Sequence, residues 1–299
     1  DLCRQSANNK KNGMEMLDDM IGMSAIKDRV TEMIAQIEMQ KELCEGNKEL
    51  ERPCLHMRFV GHPGTGKTTI ARILGKIFKE KGILSIGNFY EVSGRDLCGR
   101  YVGETAPKTS EICRSADGPV LSIDEAYSLY NGDDNSRDYG KEAIATLISE
   151  MENHRDNMVV ILSGYPDEMK TLMDANPGLA GRVPYELEFP NYTREELTSI
   201  FLHMAGRSFP FGDGVTEAAQ QFFDSISAEQ YKAKTFSNAR LARNLYERVW
   251  SKAAIRRSLN KSEPVALMAE DVGKAITDKE FAELLKKNSK KTIGFGAAD

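Results

Sequence analysis

The octapeptide Gly61-His62-Pro63-Gly64-Thr65-Gly66-Lys67-Thr68 satisfies the phosphate-loop signature GxxxxGK[ST] at every fixed position. Glycines in such a loop let the backbone pass close to a phosphate, and the amides that open the following helix point at the anion. In that arrangement Lys67 reaches the β- and γ-phosphates, and the Thr68 hydroxyl is a ligand for Mg²⁺. The spacing therefore predicts binding of ATP with Mg²⁺. Its candidate contacts are Gly61, Pro63, Gly64, Thr65, Gly66, Lys67, Thr68 and Thr69. His62 fills a variable position and requires no chemistry of its own. A second constellation is Val120-Leu121-Ser122-Ile123-Asp124-Glu125, an apolar run ending in two adjacent acids. Asp124 is placed to help hold the Mg²⁺ shell, and Glu125 to polarise the attacking water. A cycling motor needs such a base for fast hydrolysis, whereas a bare switch does not.

Two acids can serve a phosphate only if a buried strand delivers them to the sheet edge where the loop sits. Strands are predicted at 56–60, 89–92, 120–123, 158–162 and 185–189. Helices are expected at 67–81 and 107–116, with a third carrying Ile144, Leu147, Ile148 and Met151. Alternating strands and helices imply an α/β fold, a parallel five-stranded sheet between helices. Ahead of it, Ile26, Val30, Ile34 and Ile37 recur at helical spacing, with Ser24 as the candidate cap. After Pro190 the apolar spacing is helical only. Asn191-Tyr192-Thr193 caps a helix with Leu197, Ile200 and Phe201, and a helix over 237–257 carries Leu241, Leu245, Val249 and Trp250 on one side. The expected organisation is a flexible lead-in at 1–13, a large nucleotide-binding domain at 14–190, a small helical domain at 191–285 and a flexible tail at 286–299.

Composition narrows the function classes. The 299 residues are 40% apolar and 28% charged with formal net charge −5, ordinary for a protein that buries a core. An acidic balance argues against a surface built to coat nucleic acid. Cysteines at 3, 44, 54, 98 and 113 have neither CxxC nor metal-ligand spacing and read as reduced thiols, which points to the cytoplasm. No apolar run approaches the ~20 residues that span a bilayer, so no membrane partner is expected. The chain opens on Asp1 rather than Met, as an excised piece of a longer protein would.

From Asp19 to about Arg257, roughly four fifths of its length, the chain resembles the CbbX/CfxQ branch of the AAA+ ATPases. That branch includes red-type Rubisco activases and the stage V sporulation protein K group. The resemblance lies in Asp19-Met20-Ile21-Gly22, Arg95-Asp96-Leu97, Tyr101-Val102-Gly103-Glu104-Thr105-Ala106-Pro107-Lys108-Thr109 and Ile123-Asp124-Glu125-Ala126-Tyr127. It continues through Arg137-Asp138-Tyr139-Gly140 and Asn176-Pro177-Gly178-Leu179-Ala180-Gly181-Arg182. It implies a large α/β domain followed by a helical lid, assembled with copies of itself as a hexameric ring that remodels a client protein. It also implies that Asp19, Ile21 and Gly22 lie against the adenine and that Arg182 is an arginine finger for a neighbouring subunit. Arg240, in Ser237-Asn238-Ala239-Arg240, looks like the sensor-two arginine of the lid. The sensor-one position falls in Leu162-Ser163-Gly164-Tyr165, where Ser163 and Tyr165 are both open. Tyr101 and Val102 look like a pore loop that grips a threaded peptide. One position departs from the pattern. Relatives that act on Rubisco typically carry His where this chain has Glu104, which weighs against Rubisco as the client. Two other readings compete: a nucleotide-gated scaffold with little turnover, and a DNA-handling motor, against which the acidic charge and the lack of a nucleic-acid module after residue 190 both stand.

Overall fold

The computed structural model describes residues 11–46, 54–116, 118–130, 139–279 and 281. Residues 1–10 of the expected lead-in, the expected tail at 286–299 and the Arg137-Asp138 pair lie outside the described residues. Contacts divide the chain into two compact units: one joins the chain up to Gly61 with Gly66–Phe189, and the other joins His62–Thr65 with the chain from Pro190. None of the described helices is long and apolar enough to cross a membrane.

Runs such as Val159–Gly164 are apolar at odd and even positions alike, which suits a strand covered on both faces. Five strands form the sheet of the first unit: β1 (Met57–Gly61), β2 (Phe89–Ser93), β3 (Val120–Asp124), β4 (Val159–Gly164) and β5 (Tyr185–Phe189). They pair in the order β2-β3-β4-β1-β5, and every pairing is parallel, as the alternating sequence pattern predicts. Parallel register brings all five C-terminal ends to one edge, where Ser93 pairs with Asp124 and Gly61 with Phe189.

Alternate side chains enter alternate cores. Phe59, Val159, Ile161 and Leu187 face α1 (Gly13–Asp18), α2 (Ser24–Gly46) and α3 (Lys67–Glu80). Val60, Val160 and Leu162 face α4 (Thr105–Ser115), α5 (Tyr139–Asn153), α6 (Pro166–Ala175) and the short α7 (Pro177–Ala180). The α2 stripe is as expected, with Ile26, Val30, Ile34 and Ile37 all buried. Its start differs. Ser24 is already helical, and the Met23 carbonyl accepts the Lys27 amide, so Met23, at φ 59°, stands where a cap would. Asn12, inside the expected lead-in, caps α1 reciprocally with Glu15.

His56 leads into β1. Its Nδ1 accepts the Val160 amide at 3.0 Å, and burial pushes its pKa down to about 4. At neutral pH the ring is therefore uncharged and its Nδ1 stays available as an acceptor.

The second unit holds α8 (Arg194–Gly206), α9 (Val215–Asp224), α10 (Ala228–Lys232), α11 (Ala239–Leu259) and α12 (Ala269–Ile276). Thr193 caps α8 in a reciprocal box with Glu196. Leu197, Phe201, Phe222, Phe223, Leu245, Val249 and Val272 build its core. Two details differ from the purely helical expectation. The break at Phe209-Pro210-Phe211-Gly212 cannot continue a helix, so its backbone groups seek partners elsewhere. Phe211 forms a parallel bridge with Leu267, and Gly212 donates to the Leu267 carbonyl at 2.8 Å. Trp250 is 51% exposed rather than buried with Leu241, Leu245 and Val249, and it lies against Phe209 with ring centroids 6.2 Å apart.

Arg256 belongs to a basic run yet is buried. It donates to both oxygens of the buried Asp271, to Glu263 and to the Ala266 carbonyl. Asp271 also accepts the Met268 amide at 3.0 Å, so one carboxylate starts α12 and neutralises Arg256. Removing Asp271 takes the buried carboxylate from Arg256, which keeps only the more exposed Glu263 and Glu270, and leaves the Met268 amide without its acceptor, a loss of about 3–5 kcal/mol. Asp271→Ala is therefore expected to lower the thermal midpoint by about 10 °C or more. Calorimetry of the variant beside wild type checks this.

Candidate functional site

Helix α3 supplies the first half of the site. Its N-cap is Gly66 at φ +94°, a conformation that costs glycine little, and no side chain caps the helix there. First-turn amides have no partner within their own helix and are suited to an anion. Lys67 Nζ donates to the Gly61 carbonyl at 2.8 Å, folding the ammonium back across the loop. The Thr68 hydroxyl donates to Glu91 on β2 at 3.1 Å, and Glu91 also pairs with Arg72 at 3.4 Å. Glu91 was not among the sequence candidates, because an acid on a half-exposed strand carries no motif.

The outer limb of the loop, His62–Thr65, groups with the helical unit. The buried Thr65 donates to the His62 carbonyl at 2.8 Å, and the Gly64 carbonyl accepts the Ala239 amide at 3.1 Å. Gly64 has φ +71°, and a Cβ there would stand 2.1 Å from the Ser237 carbonyl oxygen and 3.1 Å from the Arg240 amide. Arg240 is the second residue of α11, with an exposed side chain.

The acids leave the same sheet edge as the loop. Asp124 ends β3 half-buried, and the exposed Glu125 follows at φ 49°, ψ 41°. A left-handed backbone at a non-glycine residue costs roughly 1–2 kcal/mol and concentrates where function fixes geometry. Tyr127 stands beside these acids. Burial first, then the charge of Glu125, pushes its pKa up to about 12, so it remains a neutral phenol. Its ring lies 5.8 Å from that of Tyr165. Of the two sensor-one candidates, Tyr165 thus reaches this cluster through Tyr127, while Ser163 is buried within β4, paired in register with Phe59. Thr68 and Asp124 offer the hard oxygen donors that Mg²⁺ takes alongside phosphate and water, so the residues present fit that cation.

The remaining candidates stand apart. Arg182 lies between α7 and β5, donating to Glu152 at 3.3 Å and to the Gly178 carbonyl at 3.2 Å. Asp19 closes α1 and pairs with Lys11. Beyond Ile21, Gly22 at φ 67° and Met23 at φ 59° turn the chain into α2. Tyr101 and Val102 are 70% and 77% exposed, on a loop ended by Gly103 at φ +86°.

Glu104 explains how that loop keeps its shape. Its carboxylate accepts the Arg100 and Tyr101 amides, each at 3.1 Å. A histidine offers at most one acceptor nitrogen and cannot replace both bonds. Glu104→His is expected to speed amide exchange at Arg100 and Tyr101 by roughly threefold to tenfold, since each such bond is worth about 0.5–1.5 kcal/mol. Hydrogen exchange followed by mass spectrometry checks this.

The chain matches two family models: the ATPase family associated with various cellular activities over residues 57–191, and an AAA lid domain over residues 193–282. It is 39% identical over 271 residues to a chloroplastic ribulose bisphosphate carboxylase/oxygenase activase of Cyanidioschyzon merolae, covering 87% of this chain and 91% of that protein. It is 40% identical over 256 residues to protein CbbX of Cereibacter sphaeroides, covering 85% and 82% of the two. A CfxQ homologue of Galdieria sulphuraria is 39% identical over 263 residues, covering 86% and 85%.

Proposed function

Because the chain belongs to the AAA ATPase family, in the CbbX/CfxQ branch, we propose that it works as a ring, a hexamer, that spends Mg-ATP to remodel a client protein. The observation that carries this reading is the convergence of an uncapped helix N-terminus, Lys67, Thr68 and the Asp124-Glu125 pair at one sheet edge.

Gly61, Pro63, Gly64, Thr65, Gly66 and Thr69 shape the phosphate cradle, with Lys67 on the β- and γ-phosphates. The turn at Asp19, Ile21 and Gly22 lies against the adenine. Thr68 and Asp124 hold Mg²⁺, which when bound offsets charge on the phosphate oxygens. Glu125 takes the proton of the attacking water while Tyr165 or Ser163 orients that water. Arg182 extends to the γ-phosphate of a neighbour, and Arg240 reports nucleotide state from the lid. A finger given to the next subunit makes a head-to-tail interface, and such interfaces close into rings when the rotation allows.

Tyr101 and Val102 hold a client segment through apolar contact, which their exposure supports. A relative is named for activating ribulose bisphosphate carboxylase/oxygenase. Glu104 braces the loop beside these gripping residues, and standing where relatives that act on Rubisco typically carry His, it weighs against Rubisco as the client. The test is ATP turnover across protein concentration. Specific activity that rises with concentration supports shared sites, and activity independent of concentration in a protein that stays monomeric contradicts them.

A further inference from the structure

Ser237–Arg240 forms a tight turn, closed by the Arg240 amide donating to the Ser237 carbonyl at 2.9 Å. Its first central residue, Asn238, has φ 49° and ψ −125°, the angles of a type II′ turn. Glycine is the usual occupant there, because a Cβ is strained at positive φ. Asn238 is nevertheless the residue present, and it is fully buried. What it gains is hydrogen bonding. Nδ2 donates to the Pro63 carbonyl at 3.2 Å, to Asn191 Oδ1 at 2.9 Å and to the Phe236 carbonyl at 3.3 Å, sharing two hydrogens among three acceptors. Oδ1 accepts the Tyr192 amide at 3.1 Å. The side chain therefore ties the outer limb of the phosphate loop to two other segments of the same compact unit. Beside it, the Ala239 amide holds the Gly64 carbonyl, and Gly64 packs too closely on Ser237 to admit a Cβ.

We propose that Asn238 is a positioning residue for nucleotide binding, fixing Pro63 and Gly64 in the shape the cradle requires. The proposal rests on the reading of residues 61–69 as the nucleotide cradle. A phosphate loop binds by presenting amides, and a carbonyl turned toward the anion would repel it. A Pro63 carbonyl held by an amide donor, next to a Gly64 carbonyl held by another, is kept from turning that way. Strain at Asn238 is then retained because only a side chain can make the bond, which glycine, comfortable in the turn, cannot.

Asn238→Gly keeps the backbone and removes every side-chain bond. Asn238→Asp keeps the acceptor for Tyr192 and loses the donors to Pro63, Asn191 and Phe236. Both are compared with wild type and with Val272→Ala, a lid-core variant that lowers stability away from the loop. Equilibrium binding of a fluorescent ADP is measured alongside the thermal midpoint without nucleotide. Both Asn238 variants are expected to weaken ADP binding roughly tenfold, while Val272→Ala stays within about twofold of wild type despite a comparable loss of midpoint. ADP binding within twofold of wild type in Asn238→Gly and Asn238→Asp would overturn the role of Asn238 alone. Wild-type protein that fails to bind ADP would overturn the cradle reading and this role together.

Discussion

Arg182→Ala is expected to lower ATP turnover by roughly 10³–10⁵ while leaving nucleotide affinity close to wild type, the effect of removing an arginine finger. A guanidinium at the transferring phosphoryl offsets charge that develops during transfer, so its loss falls on the rate more than on binding. Within its own subunit Arg182 pairs with Glu152, and the two side chains are 37% and 52% exposed. Exposed pairs of this kind are worth about 0.2–1 kcal/mol, so the arginine can leave Glu152 for a neighbour at little cost. By the same magnitude, the substitution should hardly move the thermal midpoint. Steady-state turnover and calorimetry on one preparation therefore separate the finger from a structural arginine. A midpoint that falls with the activity would mark the structural role.

Glu125→Gln is expected to cost roughly 10²–10⁴ in turnover, the range for removing a positioned general base. Glutamine preserves size and the hydrogen-bonding oxygen but cannot take a proton, so ATP binding should survive and bound ATP should persist. Glu125→Gly separates chemistry from backbone strain. It frees a residue at φ 49° from its Cβ penalty, so the midpoint should rise or hold while turnover is lost. A stabilised but inactive protein is the signature of strain retained for function. Quenched-flow hydrolysis and thermal unfolding of both variants check the pair of effects.

Glu125 belongs to a pattern legible in the sequence alone, whereas Arg182 is marked only by the family resemblance. GxxxxGKT and the acidic pair are local patterns, and their fixed spacing follows from the few ways backbone can wrap a phosphate. Strand and helix types were legible for the same reason: apolar spacing records which faces must be covered. What stayed hidden depends on partners distant in sequence. Asn238 meets Pro63 across 175 residues, and nothing local distinguishes a clamping asparagine from one in an ordinary turn. Glu91 meets Thr68 across 23 residues, and Arg256 meets Asp271 across 15, so a basic run that reads as a solvated face conceals a buried charge. Trp250 fails in the opposite direction. Helical spacing aligns it with buried neighbours, yet it is half exposed, with the tilted Phe209 ring against it. The residue pattern sets the start of α2 one residue late, because Met23 adopts a positive φ that its type gives no reason to expect.

The claim that one subunit completes the active site of the next is tested most directly by mixing the two inactive variants. Glu125→Gln lacks the base but keeps its finger, and Arg182→Ala lacks the finger but keeps its base. In a ring of head-to-tail interfaces, a randomly mixed equal population places an intact base against an intact finger at about a quarter of the junctions. The mixture is expected to recover turnover well above the sum of the separate variants, toward about a quarter of wild type. A mixture that stays at that sum, in rings shown to exchange subunits, would contradict the account.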